Sequence, residues 1–345
     1  MSKAYGDRWE IVKPLNEGGQ AHTFIVKDLR GGGEVSYVLK RLKNPKRIGR
    51  FKQEIEAVRN LSHPNILSLI DFDLSAEKPY MVTEFCAGGS LADCDPQWYS
   101  KPVVAFELFR TICGAVAYAH AAGIIHRDLK PDNLFLRQQN GPIVVGDFGI
   151  CYIESADERF TETAEAVGPR LFMAPELEDG RLEDISWQSD VYSLGKILYW
   201  LLSGGKIFSR EKFRESKWNL KAIPHNYLEE NVYLEHVTRL LDHMIVAEPK
   251  ARDSLTEIIK SLHRIERSVL MGLNPVSSEL PQQCTYCGWG VYRLVAQERD
   301  VHNFGFGASM SSARWRIWVC NECGHVQMFR LDLAKRDTWW EKNKR

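Results

Sequence analysis

The apolar positions of this chain follow a sheet period near its start and a helical period over most of the rest. Residues 9–40 alternate apolar and polar side chains around two glycine clusters, Gly18-Gly19 and Gly31 to Gly33, which is the grammar of hairpins. Residues 50–61 place Phe51, Ile55, Val58 and Leu61 on one helical face. Short apolar runs return over 64–85. From Leu91 onward helical patterns dominate, over 104–122, 187–202, 232–244 and 254–270. The order predicts a small sheet-rich part followed by a larger helical part. Residues 271–283 lose the period and hold Pro275 and Pro281, so they predict a linker. Aromatic-rich strands are expected after it, over 291–295, 314–319 and 326–331.

Composition narrows this picture. The length of 345 residues suits one large unit plus a small one. Hydrophobic content of 44% and charged content of 26% sit near the globular norm and exclude wholesale disorder. Acidic and basic residues number 45 each, so no global charge points to nucleic acid or an anionic membrane. The opening MSKAYGDRWE has neither an apolar core nor a small-residue cleavage site. The longest unbroken apolar stretch, 197–202, is far short of the roughly 20 residues a membrane span needs. These features predict a cytoplasmic protein with no membrane partner. Cys86, Cys94, Cys113 and Cys151 are scattered and read as reduced thiols. The other four cysteines form two C-x-x-C pairs.

The strongest chemical signal is His126-Arg127-Asp128-Leu129-Lys130-Pro131-Asp132-Asn133, followed by Asp147-Phe148-Gly149. Either string alone can arise by chance in a loop. In this order and at this spacing they resemble the eukaryotic-type serine/threonine protein kinase family, over about residues 9–268. The resemblance implies an α+β, bilobal protein kinase fold: a small β-rich N-lobe (9–84) and a larger helical C-lobe (87–270). An extension (1–8) would precede it. A linker (271–283) and a zinc ribbon with its tail (284–345) would follow.

Phosphoryl transfer needs a group to accept the attacking hydroxyl's proton and divalent ions to bridge the phosphates. By resemblance, Asp128 is the base, and Asn133 and Asp147 are the Mg²⁺ (or Mn²⁺) ligands, both offering hard oxygens. Lys130 brings positive charge to the transferring phosphate, and a lysine at this position resembles the serine/threonine branch. Lys40, in Tyr37-Val38-Leu39-Lys40, matches the lysine that contacts the ATP phosphates. Glu54 matches its helix partner, with a solvated helix charge as the plain alternative.

The remaining ATP contacts implied by the family fall on a glycine loop and an adenine pocket. The loop reads Leu15-Asn16-Glu17-Gly18-Gly19-Gln20-Ala21-His22-Thr23, with Asn16 and Ala21 standing in for the outer glycines. Asn tolerates positive φ, and Ala is the smallest residue with a Cβ. The pocket comprises Thr23, Val38 and Phe135, the gatekeeper Thr83, and the hinge Glu84, Phe85 and Cys86. Ala174-Pro175-Glu176 resembles the end of the activation segment, Arg252 the arginine that pairs with its glutamate, and Asp190 the helix aspartate that holds the catalytic loop. Where the family commonly has threonine, Pro169 carries no hydroxyl. Thr161 and Thr163 are candidates for phosphorylation opposite Arg127, with an ordinary polar loop as the alternative.

Cys284-Thr285-Tyr286-Cys287-Gly288 and Cys320-Asn321-Glu322-Cys323-Gly324 read as two zinc knuckles, and four thiolates complete a tetrahedral Zn²⁺ site. Two disulfides or a redox pair are the alternatives. His325 reads as a bystander or an outer support. A module of about 60 residues has little core, so metal would supply much of its folding energy. Arg314, Arg316 and Trp318 alternate onto one strand face, which could suit nucleic acid. Residues 273–345 carry only three more basic than acidic residues, and a four-thiolate zinc site is about −2, so a protein partner fits better. Trp339 and Trp340 are candidates to pack on the larger domain.

Three functions compete. One is a kinase that phosphorylates protein serine or threonine. The second is a weakly active or inactive nucleotide-binding pseudokinase scaffold, which the altered glycine loop and Pro169 favour. The third is a small-molecule kinase of related fold.

Overall fold

A computed structural model describes residues 4–15, 21–31, 35–148, 170–220, 232–270, 284, 286–287, 292–297, 315–320 and 322–330. The chain divides into two compact units. One holds Met1–Glu229 with Val237–His263, and the other holds Glu230–His236 with Arg264–Arg345.

The first unit opens on a six-stranded antiparallel sheet. Its strands are β1 (Ala4–Tyr5), β2 (Trp9–Pro14), β3 (Ala21–Asp28), β4 (Ser36–Leu42), β5 (Leu69–Asp73) and β6 (Tyr80–Glu84), ordered β1-β2-β3-β4-β6-β5. The sheet starts earlier than the sequence pattern marks, because Tyr5 pairs with Trp9 across the turn. Trp9, Val26, Leu39, Tyr80 and Val82 form one buried cluster. Helix α1 (Ile48–Arg59) sets Phe51 and Ile55 against Met81. Val58 is only half-buried, and Leu61 lies beyond the helix end.

The helical lobe follows. It contains α2 (Pro96–Tyr99), α3 (Pro102–Ala121), the hairpin β7 (Leu134–Leu136) and β8 (Ile143–Val145), α4 (Pro175–Asp179), α5 (Trp187–Leu202), α6 (Val232–Met244) and α7 (Leu255–Leu270). Pro102 opens α3, where its missing N–H costs nothing. Among the described residues, α3 alone is long and apolar enough to cross a membrane, and half of its most apolar window is buried in the fold. Phe106, Phe109, Ile112 and Val116 form that buried stripe. Helix α5 is buried from Ser189 to Leu202, which explains an apolar pattern on every face.

One ion pair is fully interior. Both Glu176 on α4 and Arg252 have side chains with no solvent exposure, joined by bonds of 2.7 and 2.8 Å. Arg252 also donates to the carbonyls of Val246, Gln188 and Ala247, so all five of its N–H groups are engaged. Removing one partner strands the other charge. Arg252→Ala is expected to cost about 3–5 kcal/mol in a denaturant titration, and a loss near zero would refute this role. Burial alone would raise the Glu176 pKa, but bonds from Arg252 and Ser189 hold it below 4.5. Its contribution to stability is therefore present above 4.5 and lost as pH falls through the lowered value. Glu176→Gln should flatten that acid limb.

The second unit carries an antiparallel sheet of β9 (Tyr292–Gln297), β10 (Trp315–Cys320) and β11 (Val326–Arg330), ordered β11-β10-β9.

Candidate active site

The first cluster is built on β4. Lys40 Nζ lies 2.6 Å from Glu54 Oε1 on α1 and 3.2 Å from Asp147 Oδ1. Burial alone would lower the Lys40 pKa, but the Asp147 and Glu54 carboxylates outweigh it and raise the pKa above its ordinary value. The Lys40 ammonium lowers Asp147 in return. The group is thus an ammonium between two carboxylates, one from each side of the cleft.

The second cluster lies on the loop before β7. Lys130 Nζ donates to both oxygens of Asp128, at 3.1 and 2.9 Å. The Asn133 amide nitrogen donates to the Asp128 carbonyl at 2.7 Å and to Oδ2 at 2.9 Å. That leaves the Asn133 oxygen for another partner. Asp190, fully buried on α5, accepts the backbone N–H groups of His126 and Arg127 at 2.8 Å each, and His120 Nε2 lies 2.8 Å from it. These bonds hold Arg127 at φ +66°, a conformation that costs a non-glycine residue about 1–3 kcal/mol. Asp147 sits at φ +48°. His126 Nε2 is 2.9 Å from the Gly146 carbonyl, and its ring packs against buried Phe148 with centroids 4.6 Å apart. Gly146 has no room for a side chain, because a Cβ there would sit 2.8 Å from the Phe135 ring.

The strand register brings the expected pocket residues together. Thr23 pairs with Lys40, and Val38 pairs with Thr83. Leu15 N–H bonds the Thr23 carbonyl at 2.8 Å, while Ala21 is buried. His22 pairs with Arg41. Two hinge side chains are otherwise engaged. The Glu84 carboxylate is bound by Arg137 at 2.8 and 3.0 Å and by Ser68 N–H at 3.0 Å, so its side chain is not available to a ligand. Burial pushes the Cys86 thiol up to about 12, so this hinge residue offers backbone groups rather than a thiolate. Asn16, Glu17, Gly18, Gly19 and Gln20 lie outside the described residues. So do Cys151, Thr161, Thr163, Pro169, the 271–283 linker, Arg314, Trp339 and Trp340.

In the second unit, the sulfurs of Cys284, Cys287, Cys320 and Cys323 all lie within 4.8 Å of one another. Cys284–Cys323 is 3.8 Å and Cys287–Cys320 is 3.7 Å. A tetrahedron with zinc–sulfur bonds of about 2.3 Å requires sulfurs about 3.8 Å apart, whereas a disulfide requires about 2.05 Å. The donor set therefore fits a four-thiolate metal and excludes the disulfide alternative. Gly324, at φ +71°, turns the second knuckle. His325 Nδ1 lies 2.7 Å from the Tyr292 hydroxyl, which accepts from Cys284 Sγ at 3.5 Å. His325 is thus an outer support to the cluster. The structure corrects the reading of Trp318. The register irregularity beside it lies on β9, where Val295 is skipped, so β10 keeps its alternation; Trp318 is nonetheless buried, clustered with Cys284, Tyr292 and Cys320. It offers no exposed face for a base to stack on.

A curled sheet bearing a lysine–glutamate pair, set over a helical lobe with this catalytic loop, is the architecture of protein kinases. The family model described as the protein kinase domain matches residues 9–263, and the chain belongs to that family. The serine/threonine-protein kinase Pkn1 of Myxococcus xanthus is 35% identical over 212 residues, covering 59% of this chain and 30% of that protein. A probable serine/threonine-protein kinase of Clostridium perfringens is 29% identical over 294 residues, 83% of this chain and 42% of its own length. The serine/threonine-protein kinase PknB of Mycobacterium leprae is 32% identical over 206 residues, 57% of this chain and 33% of that protein. The chain spans less than half the length of each.

Sequence reasoning missed Arg137, Lys196, Arg210 and Tyr292. Only Lys196 left a signal, as a lone charge inside the apolar run of α5.

Proposed function

We propose that this chain is a serine/threonine protein kinase, transferring the ATP γ-phosphate to protein hydroxyls, its own included. The observation that carries the reading is the convergence of Lys40, Glu54 and Asp147 at one end of the cleft, with Asp128, Lys130 and Asn133 on the loop below. In this reading Asp128 accepts the proton of the attacking hydroxyl as its oxygen bonds the γ-phosphorus and the bond to the nucleoside diphosphate breaks. Lys130 sits against Asp128 and adds positive charge where the phosphoryl group passes. Lys40 binds the phosphates, oriented by Glu54. Asn133 and Asp147 would hold Mg²⁺, which supplies charge neutralisation to the phosphates. Leu15, Ala21, Thr23, Val38, Thr83, Phe135 and the hinge backbone at Glu84 and Cys86 would enclose the adenine. The pseudokinase alternative is weaker, because it leaves the paired lysine and the supported Asp128 without work.

We assign residues 9–270 to the kinase domain and 284–345 to a zinc ribbon that docks or regulates through a protein partner. A soluble, cytoplasmic setting accords with this reading. Arg127 Nε is buried without a hydrogen-bond partner among the described residues, which favours an anion such as a phosphorylated Thr161 or Thr163 opposite it.

Incubation with labelled ATP and Mg²⁺, followed by mass spectrometry, tests the activity. Phosphoserine or phosphothreonine on the chain or on added casein is the expected product, and none with either acceptor overturns the proposal. Lys40→Met should lower kcat/KM for ATP by about 10²-fold or more, since it removes a preorganised charge from the phosphates.

A further inference from the structure

Lys196 lies on α5 with no solvent exposure, in a run of apolar residues. Burial pushes it down to about 7 against the raising pull of Glu211 and Glu178, so this is an expensive place for an amine. Its Nζ donates to the carbonyls of Phe208 and Arg210, at 2.7 and 2.8 Å, and lies 3.7 Å from the centroid of the Phe208 ring. Those bonds pin Arg210 at φ +49°, a conformation a non-glycine residue rarely keeps without support. From there the Arg210 guanidinium reaches α4. It donates to Asp179 Oδ1 at 2.9 Å and lies 3.1 Å from Glu178 Oε2.

Helix α4 is therefore held at both ends from one stripe of α5. Its first turn is held by Glu176, which accepts from Ser189 Oγ at 2.7 Å and from Arg252. Its last turn is held by Arg210, whose backbone Lys196 fixes. Ser189 and Lys196 are seven residues apart, two helical turns, and so share a face. A five-residue helix cannot hold its own orientation, and two anchors fix both its position and its rotation.

We infer that Lys196 and Arg210 are positioning residues for the protein substrate: together they set α4 and residues 170–174 relative to the catalytic loop, which Asp190, next to Ser189, holds, in the orientation that seats the acceptor peptide. The inference rests on the kinase reading. It separates these residues from the nucleotide side of the cleft, where neither makes a contact among the described residues.

The test compares wild type, Lys196→Met, Arg210→Ala and the double variant, with dephosphorylated casein and the Asp128→Ala chain as acceptors. Arg210 is an exposed side chain, so Arg210→Ala keeps the test open if Lys196→Met does not fold. The expected result is a KM for the acceptor raised about five-fold or more, a KM for ATP within two-fold of wild type, and a double variant no worse than the poorer single one. Arg210→Lys should recover part of the loss. An unchanged acceptor KM in Arg210→Ala overturns the inference, as does an equal effect on ATP and acceptor. If wild type phosphorylates neither acceptor, the kinase reading falls and this inference with it; if wild type is active and the variants match it, only the inference falls.

Discussion

Asp128→Ala is expected to leave ATP bound and to stop its phosphate from moving. Loss of a positioned base lowers a rate by typically 10²–10⁴-fold, so kcat should fall by about that factor. The geometry says why binding should survive. Asp128 bonds Lys130 and Asn133, whereas Lys40 is held by Glu54 and Asp147, so the phosphate-facing pair does not depend on it. Alanine also frees Lys130 and the Asn133 amide, which disturbs a metal ligand. Asp128→Asn is the cleaner variant, because it keeps the shape and two acceptor sites while losing the negative charge. Labelled-phosphate transfer and nucleotide binding measured on the same samples would separate the two effects. Full transfer activity in Asp128→Asn would remove Asp128 from the mechanism. Loss of nucleotide binding in step with transfer would mean the side chain is structural instead.

Removing metal from the C-terminal ribbon should unfold its sheet and spare the kinase domain. Structural zinc sites contribute on the order of 10–16 kcal/mol of apparent binding energy at neutral pH, and binding of that size is folding energy in a module this small. Among the described residues, the buried cluster around the thiolates consists of Tyr292 and Trp318 with the cysteines themselves. Without a metal, four converging thiols leave that cluster with nothing at its centre. Treatment with a strong chelator should release one zinc per chain and abolish amide protection in β9, β10 and β11, while β4 and α5 exchange as before. Cys287→Ser should act in the same direction. Retained protection after complete chelation would show that the sheet stands without metal. A metal content near zero in freshly prepared protein would sink the zinc reading itself.

How much of this was legible in the sequence depends on distance along the chain. The catalytic loop and the two cysteine pairs are short segments whose chemistry is local, and the structure brings the expected side chains of each together. Helices α5 and α6 were bounded correctly because their apolar period runs unbroken from end to end. Trp318 was misread because alternation tells which residues share a strand face but not what covers that face, and here the cysteines and Tyr292 cover it. Glu84 was legible as a hinge residue, but its partner Arg137 is 53 residues away and nothing local announces it. Lys196 was visible as a charge in an apolar helix, and its purpose was not, since its acceptors are backbone carbonyls that no residue type reveals.

The sequence alone determined the order of elements, the family, the candidate reacting groups and the set of four cysteines that cluster, because these follow from residue identity at short spacing. Only the tertiary structure decided that Lys40 meets Asp147 across 107 residues, that Arg252 closes on Glu176 across 76, and that Arg210 is tied to the end of α4. Charges that far apart along the chain are neighbours only after the lobes have packed. Around Arg252 and Glu176 packing also removes the water that would otherwise screen the charges, whereas Arg210 and Asp179 meet at the surface.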